Sequence, residues 1–299
     1  MFKLAATPAV LTAAALLITG CTNNEATESA AAGAPTSAAT ERTIAVDEAA
    51  AGLVPATIAE SGTLRLGTNP EYSPNEFKDP DGNPTGWDVE LAEAVAAKLG
   101  LTPQWEIGTF DSLLPKLEGG LTDMGAASFT INEERVASYD FVNYYSAGVL
   151  WAQTPGGNVD PANACGLTVG VQTGTFEQTD ELPAKSQACT DAGKEPIEIL
   201  TYDSQNEVAN ALALGKLDAF SADSPVTGYA IKQLDGKIEA AGDIFDTAPY
   251  GYAFTKNSEL VPAVQAALAS LKADGTYDAI LAGWGVESGA VAEFPVNAL

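Results

Sequence analysis

The stretch Asp123-Met-Gly-Ala-Ala-Ser-Phe-Thr-Ile-Asn-Glu-Glu-Arg135 joins small apolar residues to residues that start helices. Asp123 to Ser128 predicts a short buried strand. Thr130 and Asn132 carry side-chain oxygens that accept the free N–H groups of a first helical turn. Arg135 falls in or near that turn. Amides, hydroxyls and a guanidinium then face one small space at a strand's carboxyl end. That set suits a small carboxylate: the amides and the helix dipole hold its charge, and the guanidinium grips both oxygens. An ordinary strand-helix junction with a surface arginine uses the same residues, so the rest of the chain has to decide.

From Gly62 onward strand and helix signals alternate. Thr63–Thr68 predicts a strand, and Val89, Ala92, Val95, Ala96 and Leu99 share one helical face that ends at Gly100. Trp105–Ile107 predicts a second strand, and Asp111 caps a helix through Leu117. The pattern then restarts with a strand over Leu167–Val171, a glycine turn Gln172-Thr-Gly-Thr-Phe-Glu177, and strands at Ile197–Tyr202 and Leu217–Ser221. The last of these delivers Asp223 just before a helix from Ser224. Such alternation predicts α/β architecture, with mostly parallel sheets flanked by helices and ligands bound beyond the strands' carboxyl ends. Those ends carry Asn69 to Tyr72, Phe110, and Ser128 to Thr130.

Composition narrows the chemistry. The 299 residues hold 40 acidic and 14 basic side chains, a net charge of −26, and no histidine. Such a surface repels nucleic acid and anionic lipid, and the absence of histidine removes Ser-His and Cys-His catalysis and histidine-ligated metals. No metal or cofactor is expected. Residues 1–20 predict a cleaved signal peptide, with Lys3 ahead of the apolar run Ala9–Ile18. Its end, Leu17-Ile-Thr-Gly-Cys21, resembles a bacterial lipoprotein cleavage site, which makes Cys21 the lipidated N-terminus. Residues 21–58 are rich in Ala, Thr, Ser and Glu and predict a flexible tether. Cys165 and Cys189 then remain as an even pair in an oxidising compartment, either bridged or left as two buried thiols.

Seven short blocks now stand in a recognisable order: Gly67-Thr-Asn-Pro-Glu-Tyr-Ser-Pro74, Gly86-Trp-Asp-Val-Glu-Leu-Ala92, Phe110-Asp-Ser-Leu-Leu-Pro115, Ser128 to Arg135, Asp140-Phe-Val-Asn-Tyr-Tyr145, Val169 to Thr175, and Asp218 to Asp223. In these the chain resembles the bacterial extracellular solute-binding proteins of polar amino-acid ABC transporters, from about Gly62 to Trp284. The resemblance implies a two-lobed periplasmic-binding-protein-like fold joined by a two-strand hinge, with 59–148 plus 249–299 as lobe one and 149–248 as lobe two. It implies a monomer that is not an enzyme. Lipid-anchored to the outer face of the cell membrane, it takes an amino acid between its closing lobes and passes it to the membrane permease of an ABC importer.

The same resemblance implies residue roles. Arg135 would pair with the ligand α-carboxylate, helped by amides near Thr130 and Thr175. Asp223 would accept the α-ammonium, with Ser128 adding an oxygen. Tyr72 and Phe129 would sandwich the ligand side chain, and Asn69 and Asp88 would read its far end. Glu76, Trp87 and Phe110 are as readily structural. Two rivals share these features: a ligand-sensing lipoprotein without a transport partner, and a dehydratase-like enzyme using Glu76 or Glu177 as its acid.

Overall fold

The computed structural model describes residues 43–299. The leader over 1–20, Cys21 and the first part of the expected tether lie outside the described residues. From residue 43 the chain is docked rather than free, which shortens the tether expected to reach residue 58. Asp47 caps α1 (Glu48–Ala51) by accepting from the amides of Ala49 and Ala50, and its own N–H donates to the Lys98 carbonyl at 2.9 Å. Ala50 is buried, and Ile44, Val54 and Ile58, the last on α2 (Ala56–Ser61), pack on the core. Ala50, Val54 and Ile58 stand four residues apart, but the helix is interrupted between Ala51 and Ala56, so they form no continuous helical face.

The first half of the fold runs β1 (Thr63–Thr68), a three-stranded flap of β2 (Glu71–Tyr72), β3 (Glu76–Lys78) and β4 (Pro84–Thr85), then α3 (Trp87–Lys98) and β5 (Thr102–Ile107). It continues with α4 (Phe110–Glu118), β6 (Met124–Thr130), α5 (Glu133–Ser138) and the long β7 (Tyr139–Gln153). Asp111 proves to lie inside the first turn of α4, whose N-cap is Thr109. The second half runs β8 (Thr168–Gln172), a π-helical turn Glu177–Glu181 continuous with α6 (Leu182–Asp191), β9 (Glu198–Tyr202), α7 (Gln205–Ala213), β10 (Ala219–Asp223) and α8 (Ser224–Gln233). The long β11 (Glu239–Thr255), α9 (Val261–Ala273) and α10 (Thr276–Trp284) complete it.

The eight-stranded sheet has the order β5-β1-β6-β11-β7-β10-β8-β9. Its two outer triplets, β5-β1-β6 and β10-β8-β9, are parallel, and each joins the central β11-β7 pair antiparallel. All seven residues of β6 are buried, as a strand covered on both faces requires. At about 3.3 Å per residue, the 15 residues of β7 reach from one triplet to the other. The register between β7 and β11 shifts between Phe245 and Ala248, opposite Gly148. A Cβ on Gly148 would stand 2.5 Å from Ile244 Cγ2 and 2.7 Å from the Phe245 carbonyl, so only glycine lets the two strands cross this closely.

Apolar burial divides on either side of that crossing. Leu64, Leu91, Val95, Tyr144, Tyr252, Val264 and Tyr277 belong to one core, built of α3, α9, α10 and the first triplet. Val208, Leu212, Phe220 and Val226 form another under α7 and α8, and Tyr72 packs into it from the opposite side of the molecule. Val169, Val171, Leu182 and Cys189 form a third. Cys165 and Cys189 are bonded, with Cα atoms 5.5 Å apart, tying the approach to β8 onto α6. Across a separation of 24 residues, the chain-entropy account assigns this bridge about 3.5 kcal/mol. Replacing both cysteines by serine should therefore lower Tm by roughly 7–14 °C in calorimetry and leave ligand affinity within about twofold, since neither cysteine lines the cleft; an unchanged Tm would show that the bridge does not support the fold.

Candidate functional site

A small cleft opens where the ends of β6, β8 and β10 meet the segment after β1. Strand β6 stops at Thr130 and Asn132 caps α5, its Oδ1 accepting from the Arg135 amide at 2.8 Å. That turn swings the Arg135 side chain back over the strand end. One terminal guanidinium nitrogen donates to the Thr130 carbonyl (2.6 Å) and the other to the Gly174 carbonyl (2.9 Å). Arg135 is thus half-buried and shared between two parts of the fold, not a solvated surface residue. Phe110 and Phe129 flank it, with ring centroids 5.7 and 5.9 Å from the guanidinium carbon. Gly174 has φ +82°, and a Cβ there would press on Asp111; the turn after β8 needs glycine to approach α4.

Asp223 enters from the other triplet. It occupies the N-cap position of α8 but makes no capping bond. Its Oδ2 accepts instead from the Tyr72 hydroxyl at 2.7 Å, and the same hydroxyl accepts from the Asp223 amide at 3.2 Å. Burial pushes the Asp223 carboxyl up to about 6, against the lowering influence of Tyr72, Tyr250 and the Arg135 guanidinium. Glu177 lines the same cleft. It is 1% exposed, its Oε1 accepts no hydrogen bond, and burial together with nearby Asp223 holds its carboxyl well above the usual range.

Tyr72, Ser128, Thr130, Arg135, Thr175 and Asp223 all line this cleft. Three expected residues do not. Phe129 lies behind Phe110, stacked at 5.0 Å, and it is Phe110 that faces the cleft. Asn69 spends its amide on the scaffold, donating to the Gly108 carbonyl (2.8 Å) and accepting from Gln172 (2.8 Å). Asp88 is wholly buried in the first turn of α3, where one oxygen accepts from the Ser128 amide (2.9 Å) and the Tyr144 hydroxyl (2.6 Å). It is an interior anchor, not a reader of ligand. Gln172, Phe176 and Glu177 also line the cleft and were not assigned to it from the sequence. Their signal was the glycine turn at the end of β8, which marks the place without saying which side chains point inward.

Ser128 is held from behind. Its backbone is left-handed, φ +52°, and its hydroxyl donates to Glu76 Oε1 (2.7 Å) while accepting from the Asn75 amide (2.9 Å). Its side-chain oxygen is therefore committed inward. Glu76 and Asp88 lie side by side, and no donor reaches Glu76 Oε2 or Asp88 Oδ1. A proton kept on Glu76 avoids placing two negative charges side by side in the interior. Burial, then Asp88, pushes Glu76 well above the usual carboxylate range.

Two α/β lobes closing on a small charged cleft define a two-lobed solute-binding fold, and solved structures of that kind match it. An ancestral arginine-binding protein bound to arginine superposes with a TM-score of 0.68 at 34% identity, covering 75% of this chain and 98% of that one. A second structure, an ancestral arginine-binding protein bound to glutamine, gives 0.68 at 34% identity, covering 76% and 99%. The family model of bacterial extracellular solute-binding proteins, family 3, matches residues 64–287. The chain belongs to that family, which is one of binding proteins and not of enzymes. The arginine-binding protein ArgT of Corynebacterium glutamicum is 43% identical over 250 residues, 82% of this chain and 81% of that protein.

Glu76 sets the sign of a stability profile. Its folded carboxyl keeps a proton that the unfolded chain releases near the ordinary value, so stability falls as pH rises through that interval, by about 1.4 kcal/mol per pH unit for one group. Glu76→Gln cannot titrate and can still donate to Asp88. Its melting temperature should fall less steeply than that of the wild type between about pH 5 and 8, with Asp223 and Glu177 supplying the slope that remains. Equal slopes in the two proteins would mean that Glu76 is ionised in the folded state.

Proposed function

We propose that the protein captures an amino acid outside the cell and delivers it to the permease of an ABC importer. The observation that carries this reading is the convergence on one small cleft of two opposite charges, Arg135 on the helix that follows β6 and Asp223 at the end of β10 in the other triplet. Arg135 takes the α-carboxylate, which as a charged acceptor outbids the two neutral carbonyls it now holds. Amides near Thr130 and Thr175 add to that grip. Asp223 takes the α-ammonium, and Tyr72 and Phe110 wall the side chain. A zwitterion bound this way bridges the two lobes and favours their closed arrangement.

The lobes divide at residues 148/149 and 248/249, a placement supported by the register break opposite Gly148. Closure there bends only the β7-β11 pair. The names of relatives support arginine as the ligand, since ArgT of C. glutamicum and the L-arginine-binding protein of Pseudomonas aeruginosa (33% identical over 75% of this chain) are both named for it. The protein works as a monomer held to the membrane by lipid on Cys21.

Truncating one partner of a buried, hydrogen-bonded charge pair costs about 2–5 kcal/mol. Arg135→Ala should accordingly weaken amino-acid binding roughly 30- to 5,000-fold in isothermal titration, and Asp223→Asn by a comparable factor. Lysine at 135 should rescue poorly because a point charge lacks the two-pronged donor. Binding by Arg135→Ala within about threefold of wild type would move the carboxylate site elsewhere. The anchor is tested separately: Cys21→Ala should abolish membrane association and lipid mass on the N-terminal peptide. A wild-type protein carrying no lipid there ends that part of the reading.

A further inference from the structure

Glu177 is a lining group to which the zwitterion clamp gives no partner. Its residue is buried, its Oε1 accepts no hydrogen bond, and it shares the cleft with Asp223 and Arg135. Of the lining side chains Arg135 alone is basic, while Glu177 and Asp223 are both acidic. A zwitterionic ligand pairs with Arg135 and Asp223 one to one. The charge of Glu177 is then left over in a space too small for bulk water, and an unmatched buried carboxylate costs far more than a neutral hydrogen bond repays.

The surroundings do not remove that excess. Asp180, near Arg135, is partly exposed and already accepts from the Thr179 hydroxyl at 2.6 Å. Glu134 is exposed and screened by water. Behind Ser128 stand Glu76 and Asp88, which even with a proton kept on Glu76 leave one negative charge. The phenols of Tyr72 and Tyr250, both buried beside Asp223, are neutral. No lysine lines the cleft. Two things can balance Glu177: a proton, or a second positive charge on the ligand.

We propose that Glu177 is a specificity-determining residue, the counter-charge for a cationic ligand side chain, by which the cleft selects amino acids of net charge +1 over neutral ones. This rests on the amino-acid reading of the same cleft and adds to it the reason for charge selection. The side-chain residues expected to read the ligand's far end, Asn69 and Asp88, are committed to the scaffold, so that the anion set against a cationic side chain is Glu177.

L-Arginine and L-citrulline test this directly, because a urea replaces the guanidinium at nearly constant size and only the charge changes. Titration calorimetry of the wild type should give arginine an advantage of about 100-fold or more. Glu177→Gln should cut that ratio to below about tenfold, with citrulline bound at least as tightly as by wild type. A ratio unchanged within about twofold in Glu177→Gln overturns the assignment. So does a wild type that binds both ligands equally, with about one proton taken up per citrulline when phosphate and Tris buffers are compared, because a proton then balances Glu177. Equal binding of the two ligands by the wild type overturns the assignment even if Glu177→Gln fails to fold, and Glu177→Asp, which keeps the charge, should then retain most of any arginine preference. Loss of all amino-acid binding in the wild type would sink the amino-acid reading and this inference together, whereas binding indifferent to Glu177 sinks this inference alone.

Discussion

Charge taken out of water must be matched, and that constraint shapes this cleft more than any apolar contact does. Arg135, Asp223 and Glu177 face a space small enough to be dry when the lobes meet. None of them is neutralised by a side chain on its own lobe. Arg135 rests on two carbonyls and Asp223 on a tyrosine hydroxyl, and one oxygen of Glu177 rests on nothing. The lobes therefore meet across groups that are incompletely satisfied by the protein itself. On the proposed reading a ligand carrying the complementary charges would supply what is missing, and that difference in interaction between open and closed states would let binding drive closure.

The scaffold keeps those groups in register while still allowing movement. Each lobe is a parallel triplet with its own core, and the two triplets share only the antiparallel β7-β11 pair at the centre of the sheet. The close crossing at Gly148 coincides with one of three register shifts along the β7-β11 ladder, at Ala241/Phe245, Phe245/Ala248 and Tyr250/Gly251. Other contacts cross the cleft itself: Tyr72 to Asp223, Asn69 to Gln172, and Arg135 to the Gly174 carbonyl. Tyr72 and Asp223 share two hydrogen bonds and the other two contacts are single; the neutral Asn69–Gln172 bond is worth about 1 kcal/mol net and those to charged groups about 1.5–3, so a ligand or water can take their place.

Behind the cleft a second, rigid layer fixes the first. Asp88, Glu76, Asn75 and the Trp87 indole, which donates to Asn75 Oδ1 at 2.7 Å, form one interior network around Ser128. Their cost is a carboxyl pair buried with two oxygens that no donor reaches. Their effect is to hold the left-handed Ser128, and with it the end of β6, against other elements of the same half of the fold. Phe129 does the same for Phe110 from the other side.

Much of this was legible in the chain alone. Alternating strand and helix periods, strand ends that carry Arg135 and Asp223, and helix-starting residues after them are local signals, and local chemistry decides them: Asn132 caps its helix wherever the helix packs. The paired cysteines and the absence of histidine needed no structure either. What the chain could not show is which way a side chain turns once two elements meet. Asp88 has the charge of a ligand reader but sits on a buried face in the first turn of its helix, so its Oδ2 goes to Ser128 and Tyr144. Phe110 and Phe129 are equally apolar in sequence, and only the stacking of α4 on β6 puts one in front of the other. Residues 43–61 form two short helices interrupted between Ala51 and Ala56, and only the distant core they pack on shows that they are docked. Glu177 is one of 40 acidic residues in the sequence. Its unmatched charge exists only because the tertiary fold buries it beside Asp223, with Arg135 as the sole basic side chain lining the cleft.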